Sequence, residues 1–116
     1  MKGFLLAISF LTRIPVPARI DGGSKLSGST AWFSWVGLLV GAIAALPFLC
    51  LPPWYAALTS ILLTVWVTGA LHEDGLADTC DGVFGGRDPE SRRAIMRDSR
   101  IGAYGTIGLW FLLTTR

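Results

Sequence analysis

The sequence predicts an all-α, polytopic membrane fold: an N-terminal surface segment, about three transmembrane helices, and a short cytoplasmic helix between the second and third. Three observations carry this. The 116 residues are 52% hydrophobic and only 16% charged, with a mean hydropathy of +0.54, whereas a typical soluble chain has roughly 25% charged residues. From Leu26 to Leu71 no residue is charged, a run long enough for two passes of about 20 residues each. Seven of the eight carboxylates then fall between Glu73 and Asp98. The same composition excludes disorder, which requires few apolar residues. Two cysteines, Cys50 and Cys80, are too few for a disulfide scaffold. A net charge of +2 argues against a nucleic-acid partner, and the lipid bilayer is the expected one. The chain reads as a single membrane domain, 1–116.

Met1–Thr12 has one lysine and then an apolar stretch, as a secretory signal does. No small-x-small cleavage site follows; Arg13-Ile14-Pro15-Val16-Pro17 does, so a segment on or dipping into the membrane surface is expected. Asp21-Gly22-Gly23-Ser24-Lys25 is a loop by composition. The first pass is expected at about Ala31–Leu51, kinked at Pro47. Leu51-Pro52-Pro53-Trp54 ends it, because proline lacks the amide donor and restricts the residue before it. The second pass follows at about Trp54–Leu71, with Trp54 and Tyr55 suited to the interface. A third apolar run starts near Ile101 and reaches Thr115. Lys2, Arg13, Arg19 and Lys25 precede the first pass. Arg87, Arg92, Arg93, Arg97 and Arg100 follow the second, and the intervening turn has no charge. The positive-inside rule therefore places the N-terminus and the 72–100 segment in the cytoplasm.

Four carboxylates crowd into ten residues, Glu73-Asp74-Gly75-Leu76-Ala77-Asp78-Thr79-Cys80-Asp81-Gly82. If the second helix continues to Gly82, Asp74, Asp78 and Asp81 fall at i, i+4 and i+7 on one face. Like charges at that spacing oppose a helix unless a cation neutralises them. Each carboxylate in lipid would cost about 2.5–3.5 kcal/mol, so the cluster belongs at the boundary or in a wet cavity. The bland alternative is a solvated acidic turn. All-oxygen ligands favour Mg²⁺, which usually takes one or two carboxylates, waters and substrate phosphates. Zinc is disfavoured, because His72 and Cys80 have no matching nitrogen or sulfur partners. Gly75 fits equally a backbone approach to a ligand and close helix packing, while Gly82, Gly85 and Gly86 read as a helix end and flexible loop.

Asp88-Pro89-Glu90 is a helix start, with an aspartate cap, proline in the first position and an acid in the first turn. The helix is expected to run to about Ser99, with Arg93, Arg97 and Arg100 repeating the spacing of the acids. A Mg²⁺-chelated pyrophosphate needs such a pair of surfaces, carboxylates for the metal and guanidinium forks for the phosphate oxygens. The arginines could instead orient the chain and meet anionic lipid, or pair directly with the aspartates.

His72-Glu73-Asp74-Gly75-Leu76-Ala77-Asp78-Thr79-Cys80-Asp81-Gly82 closely resembles the cobalamin synthase family, the adenosylcobinamide-GDP ribazoletransferases. So do Gly85-Gly86, Ile95-Met96-Arg97-Asp98-Ser99-Arg100-Ile101-Gly102-Ala103-Tyr104-Gly105 and the opening Phe10-Leu11-Thr12-Arg13-Ile14-Pro15-Val16-Pro17. Family members are longer multi-pass proteins, so the chain looks like the N-terminal half of one. The resemblance implies a Mg²⁺-dependent enzyme of the bacterial inner membrane. In it, a ribose hydroxyl of α-ribazole or its 5′-phosphate attacks the cobinamide-linked phosphorus of adenosylcobinamide-GDP and expels GMP. On that reading Asp74, Asp78 and Asp81 are catalytic metal ligands, with Glu73 as a further ligand. Arg93, Arg97 and Arg100 hold phosphate, and Asp98 orients them or adds a metal contact. Asp81 is alternatively the base, and His72 is a base or a hydrogen-bonding neighbour.

Two other readings compete. The CDP-alcohol transferase pattern requires an arginine after Asp-Gly-x-x-Ala, but none occurs before Arg87, and the polyprenyl pattern requires a second acidic cluster. A cation channel or carrier would show ionisable groups at mid-membrane, and Pro47 is the only hint of a broken helix there.

Overall fold

The structure, a computed structural model, describes residues 2–17 and 28–115. The expected loop at Asp21–Lys25, and Arg19 with it, lie outside the described residues. Every regular element among those described is helical. The chain divides into two compact units, Met1–Ala70 and Leu71–Arg116.

In the first unit, α1 (Lys2–Leu11) packs Ala7 and Ile8 against Val36 of α2 (Phe33–Ala45). Phe4 meets Trp32 edge-on and Phe10 stacks on Phe33, so the N-terminal segment has a protein partner as well as an apolar face. With the short 3₁₀ turns that flank it, α2 makes a continuous 20-residue stretch, Thr30–Leu49, of mean hydropathy 1.9. At 1.5 Å per residue this reaches about 30 Å, the thickness of a bilayer core. Pro47 sits where the helix tightens into its last 3₁₀ turn, as its missing amide requires. Large apolar side chains stay open, Leu49 at 79% and Leu62 at 69%, which water disfavours and lipid does not.

The Pro52-Pro53 turn leads into α3 (Pro53–Thr68), where the Ser60 hydroxyl donates to the Ala44 carbonyl of α2. The helix is 16 residues long, about 24 Å, and by itself shorter than a full pass. The second pass expected at about Trp54–Leu71 corresponds to α3, and the supposed continuation of that helix to Gly82 is not met: Gly69 (φ +65°) and Ala70 (φ +61°) are both left-handed and end α3. The Ala70 amide donates back to the Val65 carbonyl, and the Arg13 amide donates to the Val67 carbonyl at 2.7 Å, so two helix-end acceptors are satisfied. A methyl group on Gly69 would fall 2.9 Å from Arg13 Cγ. Gly69→Ala is therefore expected to lose about 1–2 kcal/mol from the left-handed penalty alone. Ala70→Gly removes that penalty and is expected to raise the thermal midpoint in detergent.

In the second unit, α4 (Leu71–Gly85) packs against α5 (Pro89–Ile95) and α6 (Ala103–Thr115). The Asp88 side chain accepts from the Glu90 and Ser91 amides at 3.0 and 2.9 Å, and the Ser91 hydroxyl caps the Asp88 amide. This is the helix start expected at Asp88-Pro89. The expected end at about Ser99 is corrected: α5 stops at Ile95. The Arg97 amide turns back to the Ala94 carbonyl and the Asp98 amide to the Ile95 carbonyl, a tighter i→i−3 turn that closes the helix. Gly82 is also corrected, since it lies within α4, while Gly85 is the last residue of that helix and Gly86 the first beyond it. Gly82 and Gly86 mark where α5 comes close. A Cβ on Gly86 would lie 2.8 Å from the Gly82 carbonyl oxygen and 2.9 Å from Arg92 Cα.

Candidate active site

The first turn of α4 holds His72, Glu73 and Asp74, where carboxylates complement the positive end of the helix. His72 and Asp74 are exposed, Asp78 is half-buried, and Glu73 and Asp81 are buried. The one acidic face expected of Asp74, Asp78 and Asp81 is therefore divided by depth. Asp74 and Asp78, four residues apart on one side of α4, have no hydrogen bond or ion pair among the described residues.

Asp81 has a different surrounding. The Gly102 amide donates to its Oδ2 at 2.7 Å and the Gly105 amide to its Oδ1 at 2.9 Å. These are N-terminal amides of α6, which a helix cannot pair internally. Both glycines are required by the approach, since a Cβ on either would overlap the Asp81 carboxyl group. Further along α6, a Cβ on Gly108 would lie 2.7 Å from Cys80 Sγ. Gly102, Gly105 and Gly108 thus form a seam against α4. Their three-residue spacing is visible in the sequence as a close-packing signal, and the reading from sequence did not use it.

The arginines are not a single helical set. Arg93 lies on α5, its Nε donating to the Pro89 carbonyl of its own helix. Arg97 and Arg100 lie beyond the helix end. Arg92 Nε donates to the Gly86 carbonyl at 3.1 Å and ties down the α4–α5 connection. Arg100 is exposed and forms a two-pronged pair with Asp98, Nη2 to Oδ2 at 2.7 Å and Nε to Oδ1 at 3.1 Å. Asp98, Arg100, Gly102 and Asp81 line one cavity of about 270 Å³, together with Gly85 and Ile95. A larger groove of about 530 Å³ along α4 and α6 is lined by Leu76, Phe84, Ile107 and Phe111. That groove carries no charged residue, whereas the smaller cavity is lined by Asp81, Asp98 and Arg100.

Hydrogen bonds from the Arg100 guanidinium first and from the Arg100 backbone amide second, with the guanidinium charge a smaller cause, hold the Asp98 carboxyl below its ordinary value of 3.8, and Arg100 is raised in return. A carboxyl lowered by folding favours the folded state above its unfolded pKa, and the benefit fades as pH falls through the lower folded value. The pair is therefore expected to stay closed at neutral pH and to open only on acidification below about pH 3.8. Carboxyl-detected NMR of Asp98 checks this. The effect on global stability should be small, since the pair is exposed.

Among the described residues no three metal-ligating side chains come together. Mg²⁺ needs only one or two carboxylates from the protein when phosphates and water complete its shell. Asp74 and Asp78, both acidic and both unengaged among the described residues, fit that donor set.

The description "Cobalamin-5-phosphate synthase" matches residues 3–116. A protein of Klebsiella pneumoniae subsp. pneumoniae named adenosylcobinamide-GDP ribazoletransferase is 45% identical, covering 100% of this chain and 50% of its own length. Proteins of the same name from Shewanella frigidimarina and Escherichia coli are 49% and 44% identical, over 95% and 99% of this chain. The chain spans about half the length of the curated relatives it matches. No solved structure matches it. Because the family match runs across nearly the whole chain, acidic helix and arginine turn included, the chain belongs to the cobalamin-5-phosphate synthase family.

Proposed function

We propose that this chain forms the phosphate-handling portion of an adenosylcobinamide-GDP ribazoletransferase. A ribose hydroxyl of α-ribazole, or of α-ribazole 5′-phosphate, attacks the phosphorus bonded to cobinamide. The pyrophosphate bond breaks, GMP leaves, and the hydroxyl proton is released. The observation that carries this reading is the presence, within one compact unit, of an unengaged carboxylate pair on α4 and of a guanidinium fork at a cavity lined by Asp81 and Asp98.

Mg²⁺, when bound, would supply charge neutralisation for the pyrophosphate and for departing GMP. Asp74 and Asp78 would hold it, with Glu73 next to Asp74 in the first turn of α4. Arg100 has its Nη1 edge open while Asp98 fixes its plane, the arrangement a bidentate phosphate contact requires. Arg93 and Arg97, both exposed, add positive charge on the same side of the sequence. His72 is a substrate contact at the start of α4.

The topology belongs to the same proposal. Thr30–Leu49 is the first pass, the apolar helices that follow it contribute two more, and α5 lies in the cytoplasm. The basic residues on either side of the uncharged Pro52-Pro53 turn support a cytoplasmic N-terminus and acidic helix.

The test supplies the full-length protein in proteoliposomes with adenosylcobinamide-GDP, α-ribazole and Mg²⁺. GMP and a cobamide are expected in equal amounts, and chelation of the metal should stop both. Folded protein that releases no GMP under these conditions overturns the reading.

A further inference from the structure

We propose that Asp81 is a positioning residue for Arg100, and neither a metal ligand nor the base. The inference rests on the assignment of Arg100 to substrate phosphate made above. Its basis is the way the carboxylate is spent. Asp81 is 8% exposed, and each of its oxygens accepts a backbone amide of the α6 N-terminus, at 2.7 and 2.9 Å. The α6 backbone comes so close that neither Gly102 nor Gly105 has room for a methyl group beside the carboxyl. A base needs an oxygen that reaches the attacking hydroxyl, and a Mg²⁺ ligand needs space for a hydrated ion. Asp81 reaches the cavity wall, but each of its oxygens is already engaged by a backbone amide, and a base or a metal ligand here would have to give those bonds up.

What this arrangement does is fix Gly102, two residues after Arg100. The guanidinium is thereby held at both ends of a short segment. Asp98 grips it from before, through Oδ1 and Oδ2, and Asp81 pins the backbone immediately after. Asp81, Asp98, Arg100 and Gly102 line the same cavity of about 270 Å³, so a change at Asp81 moves the wall that carries Arg100. An oriented fork binds phosphate more tightly than a mobile one because less freedom is lost on binding.

The experiment compares wild type, Asp81→Asn, Gly102→Ala, Arg100→Ala and the Asp81→Asn/Arg100→Ala double variant, all in the full-length reconstituted protein. Asparagine keeps one acceptor and turns a donor toward the other amide. Gly102→Ala leaves the carboxylate in place and displaces the backbone, and serves if Asp81→Asn does not fold. Three quantities are measured: GDP affinity by calorimetry, KM and kcat for adenosylcobinamide-GDP, and the Mg²⁺ concentration for half-maximal rate. Hydrogen exchange at Gly102 and Gly105 reports whether the amides have been released.

The expected result is faster exchange at both glycines, GDP affinity weakened about tenfold and KM raised about tenfold, with kcat and the Mg²⁺ requirement nearly unchanged. The double variant should be no worse than Arg100→Ala, because both changes act through one group. A raised Mg²⁺ requirement with collapsed kcat overturns the proposal in favour of a metal ligand or base. Faster exchange with GDP affinity intact, or losses that add fully in the double variant, overturns it in favour of a purely structural role. If wild type itself binds no GDP, the functional reading falls and this proposal with it. If wild type binds and Asp81→Asn binds equally well, only this proposal falls.

Discussion

Asp74→Asn and Asp78→Asn are each expected to lower turnover by about 10²–10⁴-fold, while membrane insertion and helix content stay as in wild type. A metal that stabilises charge on a breaking pyrophosphate contributes several kcal/mol to the transition state, and each 1.36 kcal/mol is a factor of ten in rate. Asparagine preserves size and removes the charge that makes the oxygen a good magnesium ligand. A second signature separates this from simple damage. Asp74 and Asp78 are like charges one turn apart on α4, and such pairs destabilise a helix by a few tenths of a kcal/mol. Neutralising either one should leave the thermal midpoint unchanged or slightly raised while activity is lost. Loss of rate and stability together would count against the assignment, and activity resembling wild type in both variants would end it.

Gly86→Ala is expected to destabilise the second unit by about 2–3 kcal/mol, within the usual range for overpacking. The added carbon meets Gly82 O at 2.8 Å and Arg92 Cα at 2.9 Å, and neither backbone atom can rotate aside. It also meets Arg92 Cγ at 2.5 Å, at the base of the side chain that donates to the Gly86 carbonyl. Gly82→Ala provides the comparison. Its nearest obstacles are Met96 Cε and Cγ, at 2.5 and 2.6 Å, and methionine adapts its shape more readily than any other large apolar residue. A cost near 1 kcal/mol is expected there. Denaturant unfolding of the two variants in the same detergent gives the order; equal stabilities would show that α5 does not pack as described.

The parts of the fold that were legible in the sequence are those set by local chemistry. A long charge-free run gave the apolar span at Thr30–Leu49, two adjacent prolines gave the turn before α3, and Asp88-Pro89 gave the start of α5. The α3–α4 break was legible only in part: the second pass is expected to end near Leu71, but nothing local shows that Ala70 joins Gly69 in the left-handed region. The arginine spacing misled for a related reason. Period alone extends a helix through Arg97 and Arg100, whereas the backbone closes at Ile95. At the candidate site, residue types and spacing single out α4, on which Asp74 and Asp78 lie one turn apart. The surroundings of Asp81 depend on amides 21 and 24 residues downstream, and no local pattern carries that information.

That separation has a consequence for how the chain is made. When α4 leaves the ribosome, Asp81 lacks its two amide donors, and both are present only after another two dozen residues have been synthesised. At about 5–20 residues per second the wait is on the order of seconds. Until then a bare negative charge would have to be withdrawn from water, so α4 cannot settle alone. The smallest piece able to complete itself is the pair α4 and α6, which should appear during synthesis in one step, protected from protease together or not at all.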